Sequence, residues 1–176
     1  MNIYSISDLH LCLCGAKPMD IFGVTWENYL DKIKVDWQQK VKPDDYVLLV
    51  GDLSWAMKIE DALIDFKFLE GLNGTKIITR GNHDYWWKSY SVLKQNLPKD
   101  IIPLQNNAIK IGDYVVCGTR GWTVPEENAT QTDEDKKIYD RELIRLELSL
   151  KAANELAKNG EKIIVMIHYP PFNSHI

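Results

Sequence analysis

Lys76-Ile77-Ile78-Thr79-Arg80-Gly81-Asn82-His83-Asp84 begins as a short apolar run and breaks, at a glycine, into three polar side chains able to bind metal. A run of this length and character fits a buried strand rather than a helix. The same event occurs three more times. Ile3 to Ile6 leads into Ser7-Asp8-Leu9-His10, Tyr46 to Val50 into Gly51-Asp52, and Lys162 to Ile167 into His168-Tyr169-Pro170-Pro171. All four runs are expected to be strands buried on both faces. Open α/β sheets place their ligands just outside the carboxyl ends of their strands, which is where these polar groups fall.

Amphipathic helices fill the intervals. Trp26, Leu30, Ile33, Trp37 and Val41 follow steps of three and four and stop before Pro43. Ile59, Ala62, Phe66 and Leu69 form a second stripe closed by Asn73-Gly74, and Trp86, Tyr90, Leu93 and Leu97 a third, stopped by Pro98. The longest carries Tyr139, Leu143, Leu146, Leu150, Ala153 and Ala157, with a Thr132-x-x-Asp135 start and an Asn159-Gly160 stop. Ile109 to Ile111 and Tyr114 to Val116 flank Gly112-Asp113 and predict a hairpin. Alternating strands and helices set the expectation of an α/β layered fold with a parallel or mixed sheet, organised as a single domain over residues 1–176.

Composition narrows the function. The chain is 45% hydrophobic and 26% charged, which suits a packed globular core and argues against disorder. Its apolar runs are far shorter than the roughly 20 residues a membrane helix needs, so no membrane association is expected. A formal net charge of −4 argues against a broad grip on nucleic acid and leaves room for a small phosphorylated substrate. The N-terminus shows no secretory pattern and the cysteines number three, which points to the cytoplasm. Cys12-x-Cys14 reads either as a pair of small loop residues or as metal ligands.

Singly, Asp8 suits a turn cap, His10 a surface loop and Asn82 a left-handed backbone position. Together, imidazole, carboxylate and amide oxygen at successive strand ends make a mixed donor set suited to divalent transition ions. Two such ions about 3.5–4 Å apart serve phosphate-ester hydrolysis most directly.

Asp8-x-His10, Gly51-Asp52, Gly81-Asn82-His83-Asp84 and His168, in this order, resemble the motifs of the calcineurin-like metallophosphoesterase superfamily. The resemblance implies a four-layer α/β/β/α sandwich with mixed sheets and a centre of two divalent metal ions, with manganese, iron or zinc as the expected elements. It implies that Asp8 and His10 bind the first ion, Asp52 bridges both, and Asn82 and His168 bind the second. His83 would face the phosphate as general acid, with Asp84 orienting its imidazole. The reaction implied is hydrolysis of a phosphate ester by a hydroxide held between the ions, without a covalent enzyme intermediate. Non-catalytic use of the same fold as a binding module or scaffold is the alternative. A metal-free nucleotide-binding protein is a third, disfavoured by the lack of either glycine-rich phosphate loop.

Two departures from the family pattern stand out. The closing Gly-His-x-His motif does not occur before Ile176, so the chain is expected to correspond to the first three quarters of the domain, weakly active and prone to self-association. His175 is then either a solvated terminal residue or a stand-in ligand. Trp55 occupies a position where many members carry an acidic residue. Arg120, in Gly118-Thr119-Arg120-Gly121-Trp122, offers a bidentate phosphate contact or is solvated. Tyr85-Trp86-Trp87 either walls the pocket, where it would stack a base, or joins the core.

Overall fold

The computed structural model describes residues 1–13, 17, 19–125 and 132–172. The chain forms two compact units, Met1–Ile78 with Asn82–Pro103, and Thr79–Gly81 with Leu104–Ile176. Its architecture is mixed α/β, with two sheets and four α-helices among the described residues.

In the first unit, β1 (Ile3–Ile6), β2 (Tyr46–Val50), β3 (Thr75–Thr79) and β4 (Ile101–Pro103) form one sheet in that order. β1 runs parallel to β2 with Ile3 opposite Tyr46, and β3 parallel to β4 with Lys76 opposite Ile101. Parallel neighbours need crossovers. Helix α1 (Tyr29–Lys40) links β1 to β2, α2 (Ile59–Glu70) links β2 to β3, and α3 (Tyr90–Asn96) precedes β4. Leu49, Leu53, Phe66, Leu69, Ile78, Trp86 and Leu93 share one core. Removing a ring such as that of Phe66, which has no exposed surface, costs about 3–5 kcal/mol.

Three local expectations change. Trp26 lies in a short 3-10 turn, Val24–Trp26, and α1 starts only at Tyr29, because Asn28 takes a left-handed backbone (φ 52°) that interrupts any earlier helix. Trp86 shares the apolar spacing of α3 but sits outside it. It occupies the turn after the Gly81-to-Asp84 motif, fully buried, with its ring edge-on to Phe66 at 5.0 Å. β1 and β7 are not buried on both faces. Each ends its sheet, and β1 is half-buried while Ile163 and Val165 of β7 (Lys162–Ile167) are exposed.

The second unit carries β5 (Ala108–Ile111), β6 (Tyr114–Thr119) and β7 in that order. β5 and β6 form the antiparallel hairpin around Gly112-Asp113, whereas β6 and β7 are parallel, so this sheet is mixed. The parallel crossover contains α4 (Asp133–Leu156), whose N-cap Thr132 accepts the Asp135 amide at 3.1 Å. Such caps are worth about 1 kcal/mol. Ala153 of α4 packs on Val115 and Cys117 of β6. At Gly118 (φ 155°) a Cβ would stand 2.0 Å from the Met166 carbonyl oxygen, so only glycine permits this approach of β6 to β7. No helix among the described residues is long and apolar enough to cross a membrane.

Candidate metal centre

Because β1 and β2 are parallel neighbours, the segments leaving their carboxyl ends run side by side. Asp8 N donates to Gly51 O (3.0 Å), His10 N to Asp52 O (2.9 Å), Leu11 N to Leu53 O (2.9 Å), and Trp55 N back to Leu11 O (3.1 Å). The ladder therefore continues past the sheet, and it brings Asp8-x-His10 alongside Asp52. All three of these residues adopt left-handed backbones, with φ of 57°, 45° and 52°. Non-glycine residues held there store of order 1–3 kcal/mol each, and they concentrate at functional sites. Aspartate and histidine tolerate this region better than most.

Two buried carboxylates hold the strained loops. Asp84 accepts from the amides of Asp52 (2.9 Å), Leu53 (2.9 Å) and Ser54 (3.3 Å) and from the Trp86 indole (2.9 Å). Asp65, on α2, accepts from Leu13 N (2.6 Å) and the Ser54 hydroxyl (2.5 Å). Backbone amides converging on one carboxylate act as a fixed anion nest. The structure thus gives Asp84 the task of shaping the loop that presents Asp52, besides standing next to His83.

The resulting cluster combines one imidazole and two carboxylates, whose nearest donor atoms all lie within 4.8 Å of one another. His10 Nε2 is 3.7 Å from Asp8 Oδ1 and 3.8 Å from Asp52 Oδ2. Ligand atoms bind zinc-like ions at about 2.0–2.2 Å, so pairs spaced this way lie within reach of a single ion. Mixed nitrogen and oxygen donors suit divalent transition ions, and this set fits one. Asp52 is 3% exposed and Asp8 48%, so the site has a fixed floor and an open side. The Tyr29 hydroxyl donates to the His10 carbonyl at 3.0 Å. Burial, with Cys12 and Asp65 nearby, pushes that phenol up to about 12, which keeps it a donor at neutral pH.

His83 joins this group through Asp52. Its amide donates to Asp52 Oδ1 at 2.8 Å, and its ring lies 5.9 Å from that of His10, edge-on. Asn82 precedes it, half-buried, in the same unit. His168 and Arg120 belong to the second unit, where His168 meets Tyr169 edge-on at 5.6 Å. Arg120 is bonded to Glu142 (3.1 Å) and stacks over Trp122, and its backbone carbonyl accepts the Tyr169 amide. Burial pushes its guanidinium below the usual arginine range, and Glu142 offsets part of that effect. A phosphate contact from Arg120 would compete with Glu142. Cys14 and His175 lie outside the described residues. Of the aromatic triplet, Trp86 and Trp87 are core, and Tyr85 is exposed beside His83.

Sequence reasoning missed Asp65, Tyr29 and Trp55 as supports of the site. Asp65 carried a signal, since a carboxylate amid the apolar stripe of α2 needs a buried partner. Tyr29 carried none, and Trp55 only its departure from the family pattern, because their contacts depend on how two loops pair.

The sequence model of one family, described as calcineurin-like phosphoesterase, matches residues 1–176. Among solved structures, a protein of unknown function from Aquifex aeolicus is similar at 17% identity, over 94% of this chain and 89% of that one, with a TM-score of 0.46. No curated protein matches the chain.

Proposed function

The chain belongs to the calcineurin-like phosphoesterase family, and from that premise we propose that it hydrolyses phosphate esters at the Asp8, His10 and Asp52 cluster. The observation that carries this reading is the convergence of three donors from two parallel strand ends, each on a left-handed backbone and braced by buried carboxylates. Divalent ions held by Asp8, His10 and Asp52 would supply an activated water and offset charge on the phosphoryl oxygens. Two ions are proposed, which Asp8, His10, Asp52 and Asn82 of the first unit would help to hold.

The chain's own residues would then divide the remaining work. Asp52, positioned through its Oδ1 by the His83 amide, keeps its other oxygen toward His10. His83 hands a proton to the departing oxygen, the part an imidazole plays as general acid. Asp84 holds the Asp52 loop in register, and Asp8, being exposed, leaves the entry side open to a small phosphorylated substrate.

The test is hydrolysis of a generic phosphomonoester and a generic phosphodiester by the purified chain loaded with manganese, iron, zinc or magnesium. Metal-dependent turnover of either ester is expected, and the preferred one assigns the substrate class. Absence of turnover with every metal, in protein that binds them, would contradict the enzyme reading and favour a non-catalytic binding module.

A further inference from the structure

We infer that Trp55 is a positioning residue that fixes the ring planes of both His10 and His83, an inference that rests on the proposed reading of this cluster. Its indole lies 4.6 Å from the His10 imidazole at an interplanar angle of 18°, a stacked arrangement, and 4.8 Å from the His83 ring at 54°. One side chain thereby contacts a proposed metal ligand and the proposed acid.

The indole is itself anchored. Its backbone amide donates to the Leu11 carbonyl, its Nε1–H points to the Met19 sulfur at 3.1 Å, and the Lys17 ammonium lies 4.4 Å from the ring centre. Trp26 approaches His10 edge-on at 6.4 Å and in turn packs against Tyr29, whose hydroxyl holds the His10 carbonyl. The core tryptophans Trp86 and Trp87 are buried and pack on Phe66 and on each other. Trp55 is half-buried, and its ring neighbours are two site histidines and a cation.

The physical consequence follows from where an imidazole is soft. Rotation of its ring about the terminal side-chain bond is broad and two-fold, so the backbone alone does not aim Nε2. A parallel indole removes that freedom, leaving His10 Nε2 directed at Asp8 and Asp52. The same indole limits the swing of His83. The acidic residue expected at this position would act through charge, whereas tryptophan acts through shape.

The experiment compares wild type with Trp55→Phe and Trp55→Leu by three readouts. In metal-free protein, histidine ring-proton NMR should show two of the four histidines shifted by the indole ring current, with the shift reduced in Trp55→Phe and lost in Trp55→Leu. Mn2+ titration should show Trp55→Leu binding about 3–10-fold more weakly, the scale of one aromatic stack, and Trp55→Phe close to wild type. Turnover in Trp55→Leu should fall more for esters with poor leaving groups than for activated ones, since only the former need the proton.

Unshifted histidines in wild type would overturn the inference even if Trp55→Leu failed to fold. So would equal Mn2+ affinity in wild type and Trp55→Leu, or an equal loss in the Phe and Leu variants. If no ester is hydrolysed by wild type, the proposed function fails, while the NMR and Mn2+ results still decide the role of Trp55.

Discussion

Each unit of the molecule buries carboxylates, and the two units use them in opposite ways. In the second, Glu142 is 3% exposed and receives the guanidiniums of Arg120 (3.1 Å) and Arg145 (2.7 Å) and the hydroxyl of Thr119 (2.6 Å). One anion there meets two cations, so its charge is consumed in holding α4 to the end of β6. In the first unit, Asp84 and Asp65 bond to neutral amides and a hydroxyl, and Asp8 and Asp52 both face the His10 imidazole. Like-signed carboxylates kept this close favour a bound cation. Burial of acidic groups alone therefore does not mark a site. The mark is carboxylates gathered about an imidazole, with their backbones held in left-handed conformations.

Substitutions in the first unit separate chemistry from stability. His83→Ala should lower turnover by about 10²–10⁴-fold with metal content unchanged, as expected of a general acid outside the ligand set. Steady-state kinetics on activated and unactivated esters, alongside metal analysis, check it, and loss of metal with the mutation would assign His83 to the ligands instead.

Asp84→Ala should affect both properties. It takes the acceptor from three amides and the Trp86 indole, at a cost of about 1–3 kcal/mol for each donor left buried and unsatisfied, read in denaturant unfolding. It should also weaken metal binding by about 10–100-fold, as loss of support behind a ligand does. Glu142→Gln sharpens the contrast, since it should cost about 1.5–3 kcal/mol through its charged hydrogen bonds and leave metal affinity in the first unit unchanged.

The smallest effect concerns acid. The Lys110 ammonium, bonded to Glu161, lowers that carboxyl from 4.5 to about 2, with the Asn159 amide helping. The folded form thus binds this proton less readily than the unfolded one. Its stabilisation is complete above pH 4.5 and is lost as pH falls toward 2. Lys110→Met should flatten that part of the stability curve in acid titrations followed by circular dichroism, without altering metal binding.

Much of this organisation was legible in the chain. β7 and α4 fall where apolar runs and the Thr132 cap place them, because both signals are local. Asp8, His10 and Asp52 were recognisable as candidate ligands because their types recur at strand ends. What escaped was whatever depends on one loop meeting another. The left-handed backbones carry no glycine at those three positions to announce them, and Asp84 reaches a loop 30 residues away. Trp86 mimicked a helical stripe because a turn also delivered it to the core. β4 is a three-residue edge strand ending in Pro103, too short for a pattern to register and tolerant of proline only because it ends the sheet.

Whether Asp8, His10 and Asp52 form a divalent-metal centre is decided by Mn2+ binding to wild type and to Asp52→Asn, measured by calorimetry on protein shown to be folded. Saturable binding in wild type, weakened by more than the 10–100-fold typical of supporting residues in Asp52→Asn, is the result expected. Equal affinity in the two proteins, or no binding in wild type, would contradict it.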